Sequence, residues 1–388
     1  MKVLHDEEMG VIKDWRKALR NPPAYRIANR TLRNQTNFVL WVSITGLTVL
    51  VILYVLPKKS NLAAPHYSKE YYNSTYPLTK PITTNGMQTF RIGIITDLDT
   101  NSKSEKEPYT WYAYFKKGYL SYTPQRHALV LSWDKNEPTR LTTSYALKDR
   151  GMELSELVVF NGKLLTFDDR TGLIFEIAAE KAVPWILLTD GDGQNNKGFK
   201  SEWATVKGNQ LYVGSMGKEW TTPAGDFENN NPQYVKEIST RGEVKHIPWI
   251  VEYNRIREIL GINWPGYMIH ESGVWSSVHK RWFFLPRRCS KETYNETLDE
   301  HRGCSVLITA NEEMQDVQIV HLPNSTPTRG FSSFKFVPSS DDEVIVALRT
   351  EELNGKTATY VTSFTIKGQI LLNDTWISDL KYEGLEFI

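Results

Sequence analysis

GMELSELVVFNGKLLTFDD (151–169), GFKSEWATVKGNQLYVG (198–214), YMIHESGVWSSVHKRWFFLP (267–286), GFSSFKFVPSSDDEVIVAL (330–348) and KYEGLEFI (381–388) share one arrangement. Each sets a Ser or Glu at the edge of a run of strand-forming residues: Ser155, Glu202, Glu271, Ser332 and Glu383. The intervals between them are 47, 69, 61 and 51 residues. These lie near the roughly 40 to 50 residues of one propeller blade, plus insertions. The spacing predicts an all-β, five-bladed β-propeller whose inner strands meet at a central channel. Five oxygen-bearing side chains converging there point to one hard cation, because Ca²⁺ takes six to eight oxygen ligands in flexible geometry. Taken singly, each of the five reads as a solvated turn residue or a cap; their joint placement carries the metal reading.

The chain around these residues is consistent with strands throughout. FRIGIITDL, LVLSWD, LVVFNGKLLTFDDRTGLIFEI, QLYVGSM, RWFFLPRR, EVIVAL and TYVTSFTIKGQILL alternate with turn signals, and Asn161-Gly162 and Lys367-Gly368 read as hairpin turns. HIPWIVEYNRIREILGI, inside the longest interval, predicts a helical insertion.

Upstream, Phe38 to Leu56 contains no charged residue across 19 positions, close to the roughly 20 that span a bilayer as a helix. That length, with no small-residue cleavage site, favours a signal-anchor over a cleaved signal peptide. Lys2, Lys13, Arg16, Lys17, Arg20, Arg26, Arg30 and Arg33 outnumber the four acidic residues before it, whereas Lys58 and Lys59 alone follow closely. By the positive-inside rule, residues 1–37 form a cytosolic tail and the remainder is luminal or extracellular, a type II topology. Residues 57–89, rich in Ser, Thr, Asn, Pro and Tyr, read as a stem, and 90–388 as the propeller. The tail takes +4 of a net +1, leaving about −3 elsewhere with no basic run, which excludes a nucleic-acid partner. Sequons at Asn73, Asn295, Asn324 and Asn373 fall on the luminal side. The two cysteines, Cys289 and Cys304, allow a disulfide in an oxidising compartment or two free thiols; their spacing does not decide between these.

A second acidic group comprises Asp97 and Asp99 in TDLDTNS with Asp168 and Asp169 in FDDRTG. Carboxylates beside a cation can orient or deprotonate a water, whereas Asp in such turns also caps its own backbone. Lys218 in GKEW and Arg287 in FFLPRR are candidate phosphate contacts, and Trp220 could cover a base or ribose; an ion pair and a core aromatic are the structural alternatives. Other signatures fail. DGDGQNNKGFKSE places Ser201 where an EF-hand needs Glu, NGKT lacks the first Gly of a P-loop, GFSSF is not GxSxG, and HESGV is not HExxH.

DLDTNS, KKGYL, GMELSEL, FNGKL, DDRTG, KAVPW, LTDGDG, GKEWTT, PGYMIHES, RWFFLPRR, GFSSFKF and KYEGLEFI, in this order, closely resemble the apyrase family. That family includes calcium-activated nucleotidases and the salivary apyrases of blood-feeding insects. The resemblance spans about 90–388. It implies a five-bladed propeller with one central Ca²⁺ that hydrolyses nucleoside diphosphates, vertebrate relatives favouring UDP and GDP over ADP. Carried over by motif, Ser155, Glu202, Glu271, Ser332 and Glu383 are the calcium ligands, and Asp97 and Asp169 lie at the nucleotide site. Lys218 and Arg287 are phosphate contacts, and Glu153 is a further candidate. The resemblance also implies a calcium-dependent homodimer. A luminal domain on a type II anchor would clear UDP in the Golgi and endoplasmic reticulum, in support of glycosylation, or be secreted after stem cleavage. The competing reading is a non-enzymatic propeller braced by calcium that binds a protein or glycan; a calcium-holding arylesterase or lactonase propeller ranks last.

Overall fold

The computed structural model describes residues 25–27, 30–32, 44–51, 72–126, 128–323 and 326–388. They fall into two units, Met1–Tyr71 and Tyr72–Ile388. In the first, Tyr25–Ile27 pairs with Arg30–Leu32 and residues 44–51 are helical. The rest of the expected span 38–56 lies outside the described residues, and no helix among the described residues is long and apolar enough to cross a membrane.

The second unit is a five-bladed β-propeller. Four blades run outward in chain order from their innermost strands: Leu154–Phe160, Trp203–Lys207, Tyr267–Ser276 and Arg329–Phe336. The fifth closes the ring. The C-terminal strand Tyr382–Phe387 is its innermost member and pairs with Met87–Thr96 from the other end of the domain, followed outward by Trp111–Thr123 and Ala128–Trp133. Inner strands are buried on both faces, which is why they read as continuous apolar runs rather than alternating ones. Five apolar clusters fill the spaces between neighbouring blades, each drawing residues from two of them.

Both expected hairpins form. Asn161 and Gly162 take φ of 50° and 74°, the double left-handed turn that a two-residue hairpin needs. Asn354-Gly355, the remnant that failed as a P-loop, makes the same turn. The helical insertion is Ile250–Glu258, packed through Tyr253 and Ile256. The compact unit begins at Tyr72, within the stretch 57–89 that reads as a stem. Ile82–Thr84 adds to the closing blade, Tyr72 packs on Phe160, and the Tyr76 hydroxyl donates to Glu386 at 2.9 Å. Thr- and Tyr-rich polarity made this stretch resemble a linker, although its contacts are propeller contacts. The sequon residues Asn73, Asn295 and Asn373 are exposed; Asn324 is outside the described residues.

Cys289 and Cys304 form a disulfide that closes the loop carrying Tyr294, Glu296, Asp299 and Glu300. Removing it is expected to cost about 3 kcal/mol, the loop-entropy value for roughly 15 residues. Urea denaturation of Cys289→Ser/Cys304→Ser checks this; an unchanged midpoint would show that the loop is held by its other contacts.

Candidate active site

Four of the five oxygen residues sit at a register irregularity of an innermost strand. Across the first blade, Leu154 pairs with Asp168 and Glu156 with Phe167, leaving Ser155 unpaired in a bulge. Ser332 is skipped between Phe331 and Ser333, Glu383 between Tyr382 and Gly384, and Glu271 within the irregular stretch from His270 to Gly273. Glu202 stands just before its strand, its backbone N–H bonded to the Gly214 carbonyl. A bulge re-aims the side chain of the extra residue, and the same irregularity recurs in four of the five blades.

These carboxylates belong to one continuous network of ion pairs. Lys200 bridges Glu202 (2.5 Å) and Asp169. Arg170 joins Asp169 (3.9 Å) to Glu153 (3.0 Å), and Arg150 joins Glu153 (2.5 Å) to Asp99 (3.4 Å). Lys381 then holds Asp99 (2.6 Å), Asp97 (2.8 Å), Glu352 (3.1 Å) and Glu383 (3.8 Å). Arg287 completes it on Glu383 (2.8 Å), Glu352 (2.8 Å) and Glu271. Eight acidic side chains meet five basic ones, three more acids than bases. Burial pushes Glu202 up to about 8 and raises Glu271 and Glu383, against the pull of Lys200, Arg287 and Lys381. Their ionised forms are therefore short of solvation, which a bound cation would supply.

The donor set fits Ca²⁺. Three carboxylates and two hydroxyls are hard oxygen donors. Among the described residues, Ser155 Oγ is buried without a hydrogen-bond partner, and Ser332 Oγ makes a 3.5 Å contact to the Tyr382 carbonyl. A buried hydroxyl without a partner is costly unless something else fills its coordination.

Asp97, Asp99 and Glu153 bring carboxylate oxygens within 4.8 Å of one another. Asp97 is 3 % exposed, and its Oδ1 accepts the Asp99 backbone N–H at 2.8 Å. Burial alone would raise it, but Lys381 and that N–H outweigh burial and hold it below the ordinary range. Glu153 is fully buried; burial lifts it to about 7 although Arg150 and Arg170 both bond it. Asp168 plays the capping role instead, accepting from the backbone N–H groups of Met152, Arg170 and Thr171.

The structure thus gathers Asp97, Asp169, Glu153, Glu202, Glu271, Glu383 and Arg287 in one network, with Ser155 and Ser332 on the innermost strands of two further blades. Arg287 is there as a partner of the channel carboxylates. Lys218 and Trp220 stand outside the network. Lys218 Nζ donates to the Glu219 carbonyl (2.9 Å) and lies 4.5 Å above the Tyr294 ring; Trp220 packs beside Met216, Tyr267 and Ile269 with Lys197 Nζ 3.8 Å over its ring. Sequence reasoning missed Lys200 and Lys381. The signal was present: KSE (200–202) and KYE (381–383) repeat one Lys-x-Glu spacing at the entry to an innermost strand.

The Apyrase family model matches residues 98–388. A rat protein described as soluble calcium-activated nucleotidase 1 is 51 % identical over 317 residues, covering 82 % of this chain and 78 % of that one. An apyrase of Cimex lectularius is 44 % identical over 367 residues, covering 94 % of this chain and 99 % of its own. Apyrase apy-1 of Caenorhabditis elegans is 44 % identical over 78 % of this chain and 85 % of its own. With the family model spanning nearly all of the propeller and relatives of this identity along most of the sequence, the chain belongs to the apyrase family.

Proposed function

We propose that the protein is a calcium-dependent nucleotidase that cleaves the terminal phosphate of nucleoside diphosphates, UDP and GDP ahead of ADP. Family membership supports nucleotide phosphatase activity. The calcium reading is supported by the strand irregularities that single out Ser155, Ser332 and Glu383, beside a network in which carboxylates outnumber basic groups. When bound, Ca²⁺ would supply positive charge to the phosphate oxygens, held by Ser155, Glu202, Glu271, Ser332 and Glu383.

The chain's own residues do the rest. Lys200 and Lys381 lie where phosphate oxygens can compete for them with Asp169, Asp97 and Asp99. Asp97 is a weak base while Lys381 holds it ionised, so its task is to orient a water in line with the terminal phosphorus. That suffices for phosphoryl transfer, whose loose transition state depends on positioning more than on a strong nucleophile. Asp169 is the second candidate for the same task. Glu153, poised near neutrality, can take up the proton that leaves the water.

The proposal extends to the cell. Residues 38–56 anchor the protein as a type II membrane protein, the propeller works in the Golgi and endoplasmic reticulum lumen, and UDP left by glycosyltransferases is its load. The uncharged 38–56 run and the Lys/Arg excess before it support this. Immunolocalisation to the cytosol or mitochondria would refute it. The activity test is phosphate release by the purified full chain from UDP, GDP, ADP and ATP with calcium, magnesium or chelator. Calcium-dependent release, fastest from UDP and GDP, is expected; no release from any nucleotide would return the protein to the binding-module reading.

A further inference from the structure

We infer that Glu156 is a positioning residue for the calcium site: with Ser333 and Glu386 it pins together the three innermost strands that carry Ser155, Ser332 and Glu383, and so sets calcium affinity from outside the ligand set. This rests on the calcium reading above.

Each propeller blade completes its ladders within itself, and among the described residues no backbone ladder joins one innermost strand to another. Ser155, Ser332 and Glu383 come from three such strands, Leu154–Phe160, Arg329–Phe336 and Tyr382–Phe387. Their separation therefore depends on what holds blade to blade. The apolar clusters between blades supply cohesion without direction, whereas hydrogen bonds fix distance and angle.

Three buried side chains supply those bonds. Glu156 Oε1 accepts from the Ser333 hydroxyl at 2.9 Å, joining the first blade to the fourth. Ser333 Oγ accepts the Leu385 N–H at 3.2 Å, joining the fourth blade to the closing one. Glu386 Oε2 accepts the Val159 N–H at 3.1 Å, joining the closing blade back to the first. The three side chains are at most 2 % exposed, so solvent does not compete for this triangle. The other Glu156 oxygen is ion-paired with Lys335 at 3.2 Å, which compensates the buried charge.

The pins sit beside the oxygens they position. Glu156 and Ser333 are each the first residue back in register after Ser155 and Ser332, opposite Phe167 and Leu348. They bond each other although the closing blade stands between their two blades. Gly384, next to Glu383, gives the third strand its close approach: a Cβ there would stand 2.6 Å from the Glu156 carbonyl carbon and 2.7 Å from the Leu157 nitrogen. Groups that orient metal ligands in this way tune the site, and losing one costs about 10- to 100-fold in metal affinity.

The test is calorimetric calcium titration of the chelator-treated full chain, beside its urea denaturation midpoint, for wild type, Ser333→Ala, Glu156→Leu, Glu156→Gln and Thr362→Val. Ser333→Ala and Glu156→Leu should raise the calcium Kd about 10- to 100-fold at one site per chain. Glu156→Gln, whose amide oxygen can still accept from Ser333, should recover most of that affinity. Thr362→Val is the structural control. It removes a buried hydrogen bond to the Leu372 carbonyl within the fourth blade, and should lower the midpoint without moving the calcium Kd. An unchanged Kd in Ser333→Ala and Glu156→Leu, or equal weakening in Thr362→Val, would overturn the inference while the calcium reading stands. If Glu156→Leu fails to fold, Ser333→Ala against Thr362→Val decides. A wild type that binds no calcium would bring down both.

Discussion

Asp97→Asn is expected to lower turnover of UDP by about 10²- to 10⁴-fold, the usual weight of a positioned acid–base group, while calcium binding persists. The substitution is nearly isosteric. The retained carbonyl oxygen can still accept the Asp99 N–H that now bonds Asp97 at 2.8 Å, so the turn should hold. What is lost is the charge facing Lys381 and the second carboxylate oxygen. An amide cannot take the place of that acceptor on the water's proton, and its NH₂ would meet the ammonium of Lys381, now 2.8 Å from Oδ2. Lys381 keeps Asp99, Glu352 and Glu383 as partners, so the metal-facing side of the network should survive. Phosphate release measured beside calcium titration checks this. Near-normal turnover would remove Asp97 from the mechanism and leave Asp169 as the residue that orients the water.

Arg287→Gln should destabilise the chelator-treated protein by about 3–5 kcal/mol, because removing one partner of a buried ion pair strands the others. Here Glu271, Glu383 and Glu352 lose the guanidinium together, and the first two face the channel. Calcium should restore much of the loss, since the cation takes over the same two carboxylates. A ligand that binds only the folded state stabilises it in proportion to its affinity, and removing a competing positive charge raises that affinity. The calcium-induced gain in denaturation midpoint should thus be larger in the variant than in wild type. An equal gain in both would show that Arg287 and calcium do not share these carboxylates.

The inner strands were legible because blades repeat: Ser155, Glu202, Glu271, Ser332 and Glu383 recur near the blade length, each beside a strand-forming run. What spacing could not supply was the partner of the last strand. Tyr382–Phe387 pairs with Met87–Thr96 across nearly the whole domain, and no local propensity encodes that closure. Bulges were equally hidden, because an extra residue in a buried strand breaks no alternation that could be seen in a run apolar on both faces. Asp168 and Asp169 show the same limit at the site. They are adjacent and chemically identical, yet one caps three backbone N–H groups and the other joins the ion-pair network. Arg287 and Arg288 repeat the lesson: the pair drew attention to phosphate, but the strand places only Arg287 among the channel carboxylates and leaves Arg288 beside Asp299, with unused donors among the described residues.

Calcium titration of the chelator-treated full chain by calorimetry, in wild type, Glu383→Gln and Glu153→Gln, addresses the central claim directly. One site per chain in wild type and in Glu153→Gln, abolished in Glu383→Gln, is the predicted result. Calcium retained in Glu383→Gln but lost in Glu153→Gln would contradict it, moving the cation from the inner-strand ring to the Asp97, Asp99 and Glu153 cluster.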